Sequence, residues 1–288
     1  MSEVILQVVG SGVLWGFIFV LSALGLTIIF GVMDICNFAH GDFLMMAMFL
    51  AFWLSVWPGL DPMLSLPIVA IAIALLGVAT YWLLIRHVLK ASGMAQIFVT
   101  FGLMIFLRGL AQALWGADYR SITDPLVQGS WNIMPNLSLS KPQVVAALCA
   151  IVATILVYLF MTKTRTGLAL QAVSEDKDAA SLMGIPVQKM YILAWIIGAG
   201  CVGIAGGLLS EFYYIYPEVG MVYGFLAFIT VALGGFGSIK GVFYAGLIIG
   251  MVQALGGFFF GSAYQYLLVY GLYFVCVVVR PQGLMGRR

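Results

Sequence analysis

An apolar stretch near the start of the chain is interrupted by four polar side chains, Asp34, Asn37, His40 and Asp42. Carboxylate, amide and imidazole groups inside an apolar segment can contact a polar solute, relay a proton or hold a partner charge. Their offsets of 3, 6 and 8 residues do not share one helical face, so a continuous lipid-facing helix would expose at least one of them to hydrocarbon. Two interpretations remain open: a broken or re-entrant pathway element, and a turn between two ordinary spans.

A second polar set lies in a later apolar stretch and consists of Gln96, Thr100, Arg108 and Gln112. Offsets of 4, 12 and 16 residues place all four on one half of a helix, and polar groups within a span face the bundle interior. Arg108 lies about 20 Å along this helix from its start. Its guanidinium either pairs with a carboxylate or extends towards water. A structural role and a pathway role both remain open for this set.

The patterns typical of enzymes are not found in this sequence. The glycine-rich run 233–241 does not fit a phosphate-binding loop, because Ile239 precedes Lys240 and Gly241 follows it. No HExxH or GxSxG pattern occurs, and the four cysteines are too far apart in sequence to suggest a zinc site. We therefore predict no catalytic residue, no metal site and no cofactor bound by this chain, and we interpret 233–241 as a tight turn.

Composition indicates what must position the polar groups. Hydrophobic residues make up 63% of the chain and charged residues only 8%, which suits a bilayer and not water. The net charge of +2 gives no reason to expect nucleic-acid binding. We predict one all-α domain over 1–288, a polytopic bundle of roughly eight to ten crossing or re-entrant segments. Two of the candidate spans, 41–57 and 221–236, are short; the others are 8–31, 63–85, 94–115, 142–162, 190–210, 241–260 and 262–280.

Lysine and arginine residues predict the orientation of the bundle. Most of them lie in three groups: Arg86 with Lys90; Lys163, Arg165, Lys177 and Lys189; and Arg280, Arg287 and Arg288. These groups are expected in the cytoplasm, which also places the C-terminus there, and the loop 116–141 is expected outside. The polar segment 167–183 is predicted to be a cytoplasmic helix that ends at Gly184 and Pro186.

The apolar segment 190–210 contains Gly203 and Gly207 in a GxxxG spacing. In a membrane protein this spacing is typical of close helix packing and not of nucleotide binding. Glu211 and Glu218, which follow it, are predicted to lie at the outer interface.

Several of these motifs also resemble a known family. Residues 25–42, which read GLTIIFGVMDICNFAHGD, closely resemble the signature of the branched-chain amino acid ABC permease family, in its LivH-like branch. The segments 164–176 and 179–185, the run 234–238 and the terminal 280–286 are similar to the family in the same order. One departure is Asp42, where the family usually has glutamate.

The resemblance implies the membrane domain of an ABC importer in the bacterial inner membrane. A second, LivM-like permease subunit, two cytoplasmic ATPase subunits that bind ATP and Mg, and a periplasmic solute-binding protein would be its partners. The segment 167–183 would couple to the ATPases through Glu175, Asp176, Asp178 and Gly184. Polar residues of 34–42 and 94–115 would face the pathway.

Alternatives remain open for the solute that is carried and for the class of transporter. Related permeases carry urea, short amides or other small solutes, so the resemblance alone does not fix the solute as a branched-chain amino acid. A stand-alone secondary transporter or channel would instead use Asp34, His40, Asp42 or Arg108 as proton-relay groups. A third alternative is a structural or assembly subunit of a membrane complex.

Overall fold

Helices form most of the chain in the computed structural model, which describes residues 2–123, 125–134 and 137–286. Apolar side chains around each helix suit burial against other helices or contact with lipid. The helices are α1 (Ser2–Met33), α2 (His40–Val56), α3 (Pro62–Thr80), α4 (Arg86–Val88), α5 (Gly93–Trp115), α6 (Lys141–Lys163), α7 (Arg165–Glu175), α8 (Lys177–Leu182), α9 (Val187–Leu209), α10 (Val219–Gly234), α11 (Ile239–Phe260) and α12 (Gln265–Val279). A π-helical turn over Tyr81–Ile85 joins α3 to α4, and a 3-10 turn over Ser262–Tyr264 precedes α12.

Nine apolar segments have the character of membrane helices within the described part of the chain. Seven are long and apolar enough to cross a membrane. The other two, α2 and α10, have 17 and 16 residues, or about 25 Å each, which is shorter than a hydrocarbon core of about 30 Å. The predicted count of eight to ten segments is confirmed, as is the shortness of 41–57 and 221–236.

The chain order gives the bundle two distinct ends. Val32 near the end of α1, Met161 near the end of α6 and Met190 near the start of α9 pack in one buried cluster. Lys163, Arg165 and Lys189 of the predicted basic groups adjoin the termini of α6 and α9, and we call this the basic end of the bundle. The opposite end carries the described residues of 116–140 and is called the loop end. Arg287 and Arg288 lie outside the described residues, as do Asp124, Pro135 and Asn136 of the loop.

The centre of the bundle is α1, which packs along α9 and α11. Glycine allows these close approaches, because a Cβ atom at Gly25 would overlap the carbonyl of Gly198 on α9. The predicted close packing around the GxxxG of α9 is also present. A Cβ atom at Gly203 would lie 3.1 Å from Ile73 of α3, and one at Gly207 would lie 2.7 Å from Leu66.

The loop end contains a small element that the all-α prediction omits. Strands β1 (Ser130–Met134) and β2 (Leu137–Ser140) pair antiparallel, with Trp131 opposite Leu139. The Gln7 amide of α1 donates a 3.1 Å hydrogen bond to the Ser138 carbonyl. The hairpin is therefore fastened to the start of α1.

The predicted single helix over 167–183 is wrong. The backbone of Asp176 is extended, with φ −154°, and divides the segment into α7 and α8. The Asp176 carboxylate accepts 2.9 Å hydrogen bonds from the N–H groups of Asp178 and Ala179. An aspartate that caps a new helix in this way competes with continuation of the previous one. The segment ends as predicted, with Gly184 at φ +82°.

Candidate functional site

The polar break after α1 turns back into the bundle. Helix α1 ends at Met33, Asp34 has φ +55°, and helical structure resumes only at His40. The buried imidazole of His40 lies with Nε2 2.9 Å from the carbonyl oxygen of Ser22, in the middle of α1. Ser22 precedes Met33 by eleven residues, or about 16 Å of helix. The segment is therefore re-entrant, and α2 begins inside the bundle.

Side chains of the break satisfy its backbone groups. The Asn37 amide oxygen accepts a 3.1 Å hydrogen bond from the N–H of Ala39, next to the start of α2. On the other side, the Thr100 hydroxyl of α5 donates to the Cys36 carbonyl at 3.0 Å. Backbone that leaves the helical pattern inside a membrane requires such internal partners. Asn37 and Thr100 thus have defined roles in holding the break.

A second short helix, α10, meets the start of α2, and we call these two short helices the half-helices. A Cβ atom on Gly41 would overlap the Gly220 carbonyl and would lie 2.6 Å from the Gly224 Cα atom. The other end of α10 is at the basic end, where the N–H of Leu284 donates to the Leu233 carbonyl at 2.8 Å. The N-termini of α2 and α10 therefore cross within the bundle, and the two helices run from there towards opposite ends.

The first turn of α2 carries a carboxylate that pairs with α5. Asp42 is 1% exposed, and the Arg108 guanidinium approaches its Oδ1 atom to 3.2 Å through Nη2 and 3.3 Å through Nε. Of the two sequence alternatives for Arg108, the structure has the carboxylate pair. A charge at this depth needs such a partner, because hydrocarbon does not solvate it.

The start of α10 carries a second acidic residue that also contacts α5. The Gln112 amide donates a 2.7 Å hydrogen bond to Oε1 of Glu218, the residue before α10 begins. Asp42 and Glu218 thus place negative charge at the N-termini of the two half-helices, where the helix dipole favours it. Glu218 was absent from the predicted pathway set. The available signal was its position next to the start of a short apolar segment, which Asp42 shares.

Three of the four polar residues predicted to share one face of α5 therefore have partners elsewhere in the site. Thr100, Arg108 and Gln112 each contact the break or the start of a half-helix. Gln96 does not join them, since its amide donates to the Val88 carbonyl at 3.1 Å. Asp34 is also separate, because it lines a cavity at the basic end.

Glu211 follows the end of α9 that lies opposite the basic end, but its side chain is more buried than a place at the outer interface suggests. It is only 5% exposed, at the end of α9, and neither carboxylate oxygen has a hydrogen-bond partner among the described residues. The following residues, including Tyr213, pack against Trp15 of α1 as the chain returns towards the start of α10. That return buries Glu211, and spacing along the sequence does not reveal it.

At the basic end, α7 and α8 present one buried and one exposed face. Leu170 and Val173 of α7 and Ala180 of α8 pack in the cluster that contains Val32 of α1. By contrast, Leu182 is 90% exposed and Met183 is 83% exposed. Such large exposed apolar side chains beside charged residues are typical of a surface that contacts another protein.

Comparison with known proteins gives the site a family context. The sequence profile described as "Branched-chain amino acid transport system / permease component" matches residues 8–278. The high-affinity branched-chain amino acid transport system permease protein LivH of Escherichia coli (strain K12) is 28% identical, over 98% of this chain and 96% of its own length.

Two further relatives have the same type of description. BraD of Pseudomonas aeruginosa is 28% identical, over 98% of this chain and 96% of its own length. LivM of Escherichia coli (strain K12) is 25% identical, over 93% of this chain and 68% of its own length. Because the profile spans nearly the whole chain, this protein belongs to the family of branched-chain amino acid transport system permease components.

Proposed function

We propose that this chain is the permease subunit of an ATP-driven importer that carries branched-chain or other hydrophobic amino acids across the bacterial inner membrane. The observation that carries the proposal is the family match over residues 8–278. The polar face of α5 and the two crossing half-helices add a physical basis, because half-helices are a recurrent way to build a pathway within a membrane.

The solute pathway in this proposal follows α5. Arg108 is partly exposed and the Gln112–Glu218 pair is exposed, although these groups belong to or adjoin apolar helices. Lipid is an unfavourable neighbour for exposed charged groups. A water-filled pathway beside α5 removes that conflict, and Asp42 with Arg108 would then form part of its wall.

The second wall of the pathway requires another subunit. Only 17% of the most apolar stretch of α5 is buried within this chain. We assign the missing cover to a second permease subunit, LivM-like, and the similarity of this chain to LivM supports a pairing of related folds. The pathway would then lie between the two permeases, with α5 as this chain's contribution.

Energy would reach the pathway through α7 and α8. The exposed Leu182 and Met183 offer an apolar contact to an ATPase subunit, with Glu175, Asp176 and Asp178 beside them. The buried face of α7 packs against α1, whose C-terminal end leads into the break. Movement of the ATPases would therefore shift α1 and the start of α2, which is a route to alternating access.

Orientation follows from the charge distribution. The basic end would be cytoplasmic by the positive-inside rule, together with the C-terminal tail. The loop end, with the hairpin of β1 and β2, would face a periplasmic solute-binding protein. The affinity for solute can reside in that protein, so the pathway itself can bind solute weakly.

Uptake by a reconstituted importer tests the proposal. The chain is reconstituted in liposomes with a LivM-like permease, two ATPase subunits and a solute-binding protein, and radiolabelled leucine uptake is measured. ATP-dependent leucine uptake that requires all components is expected. Uptake of urea or a short amide in place of leucine would show that the importer carries the alternative solute. Equal uptake by this chain alone would show a stand-alone transporter and refute the proposal.

A further inference from the structure

A cavity at the basic end belongs to none of the roles described so far. Its volume is about 650 Å³, within the roughly 300–1,000 Å³ that is typical of small-ligand sites. It lies between the last turns of α1 and α6, the C-terminal half of α7, and the turn from α10 to α11. The cavity is not enclosed and opens to the surface of the chain.

Opposite charges line this cavity. Asp34 contributes a carboxylate from the break, and Lys240 contributes an ammonium group from the first turn of α11. Within the described residues, neither forms an ion pair at 4 Å or less, since the one such pair there joins Arg108 to Asp42. Because α11 also begins at the cavity, its N-terminal dipole adds to the positive charge near Lys240.

An unsatisfied buried hydroxyl also lines the cavity. Thr27 of α1 is 1% exposed, and its Oγ1 atom has no hydrogen-bond partner among the described residues. A buried polar group without a partner costs free energy, of the order of 1–3 kcal/mol. Thr27 therefore places an unpaired polar group in the wall of the cavity, next to the space that a ligand would occupy.

The rest of the lining separates into polar and apolar parts. Gln171 and Ser174 of α7 supply polar groups, and their own donors already bond to the Met161 and Gln171 carbonyls at 2.8 and 2.7 Å. Apolar surface comes from residues that include Ile28 and Ile239. A ligand that fits has one cationic group, one anionic group and an apolar body.

We infer that this cavity is a binding site for a zwitterionic amino acid with an apolar side chain. Lys240 and the start of α11 bind its carboxylate, Asp34 binds its ammonium group, and Ile28 and Ile239 contact its side chain. That the ligand is also the transported solute rests on the proposed function. The site then holds solute on the side of release, in contact with both α1 and α7.

Direct binding to the assembled importer tests this inference. The permease pair with its ATPases is placed in phosphatidylcholine nanodiscs without the solute-binding protein, and radiolabelled leucine binding is measured. Leucine should bind. Leucinamide, which lacks the carboxylate, and 4-methylpentanoate, which lacks the ammonium group, should compete at least tenfold more weakly.

Variants then locate the binding site. Asp34→Asn and Lys240→Gln should each weaken leucine binding at least tenfold, and asparagine suits the positive φ at position 34. Asp118→Asn and Lys189→Gln remove the same charges from exposed positions outside the cavity and should leave binding unchanged. Thr27→Val should weaken binding without lowering the unfolding temperature, since the hydroxyl has no partner to lose.

Three outcomes would overturn the inference. The first is the absence of leucine binding while leucine uptake by the full importer is intact, which leaves the proposed function standing. The second is leucine binding that Asp34→Asn and Lys240→Gln do not change, which places the ligand elsewhere. The third is a cavity that is occupied only in phosphatidylethanolamine nanodiscs, by a ligand that leucine does not displace. This result would identify a lipid headgroup as the zwitterion.

Discussion

The carboxylate of Asp42 lies 3.2 Å from the guanidinium of Arg108, and this contact joins the start of a half-helix to the outer half of a full-length span. Asp42 is almost completely buried, whereas Arg108 keeps part of its surface exposed. The ion pair thus connects the interior of the chain with the uncovered side of α5. We expect it to have both a structural and a functional effect.

Removal of one partner of this ion pair should be more harmful than removal of both. Arg108→Gln leaves the buried Asp42 carboxylate without its counter-ion, and loss of one partner of a buried pair costs about 3–5 kcal/mol. The double variant Asp42→Asn/Arg108→Gln removes both charges and should regain most of that stability. Thermal unfolding of the purified chain in detergent measures the difference.

Transport separates the pathway role of the ion pair from its structural role. If the pair lines the pathway, the double variant should fold but import leucine at least tenfold more slowly. Normal import by a stable double variant would restrict Arg108 and Asp42 to a structural role. Equal destabilisation by the single and double variants would contradict the buried-pair argument.

The crossing of the two half-helices depends on glycine at position 41. Gly41→Ala would place a methyl group against the Gly220 carbonyl and 2.6 Å from the Gly224 Cα atom. Backbone atoms cannot rotate away, so we expect a loss of about 1–3 kcal/mol in the free energy of unfolding. Gly200→Ala in α9 is the matched control, since no atom lies within 4 Å of its Cβ position.

The Gly200→Ala control should not lower the stability of the chain. Alanine at position 200 gains helix propensity over glycine, by up to about 1 kcal/mol, so this variant should unfold at the same or a higher temperature. Equal stability of Gly41→Ala and Gly200→Ala would show that α2 and α10 do not approach each other as closely as described.

Asp176 offers a way to separate helix capping from surface charge. Asp176→Ala removes the acceptor for two N–H groups of α8 and should cost about 1 kcal/mol of helix stability. Asp176→Asn keeps an acceptor oxygen and removes the charge. If capping is the role of this residue, leucine import should fall in the alanine variant and persist in the asparagine variant.

Loss of import in both variants would assign Asp176 a different role. Equal loss of import in the alanine and asparagine variants, with the ATPases still bound, would assign Asp176 a charge contact with the ATPases. Hydrogen exchange of the α8 amides provides an independent measurement, because only the alanine variant should open this helix.

Spacing along the sequence predicts the shared face of α5 but not the partners of that face. Thr100, Arg108 and Gln112 follow from the helical repeat, because offsets of four, eight and twelve residues recur on one side. That Gln112 contacts Glu218, 106 residues later, depends on how α10 crosses α2. Tertiary contacts of this kind have no local signature.

The polar break shows the same limit. The offsets among Asp34, Asn37, His40 and Asp42 argue against one continuous helix, because Asp42 does not share a face with the other three, and the structure has a break there. Which residues separate depends on the direction of the returning chain: His40 reaches Ser22 inside the bundle, whereas Asp34 stays at the basic end. The turn at Asp176 was missed because helix-forming residues on both sides outweigh one capping residue in a sequence pattern.

The exposed apolar tip of α8 provides the last prediction. Leu182→Ser/Met183→Ser changes two side chains with little burial in this chain, so the unfolding temperature of the isolated permease should stay the same. If this tip contacts an ATPase subunit, the variant should recover at least fivefold less ATPase on affinity purification of the complex. Leu126→Ser, an exposed apolar position at the loop end, should recover the normal amount. Full ATPase recovery by the double variant would exclude the tip of α8 as a main contact, because loss of two large apolar side chains from an interface weakens binding strongly.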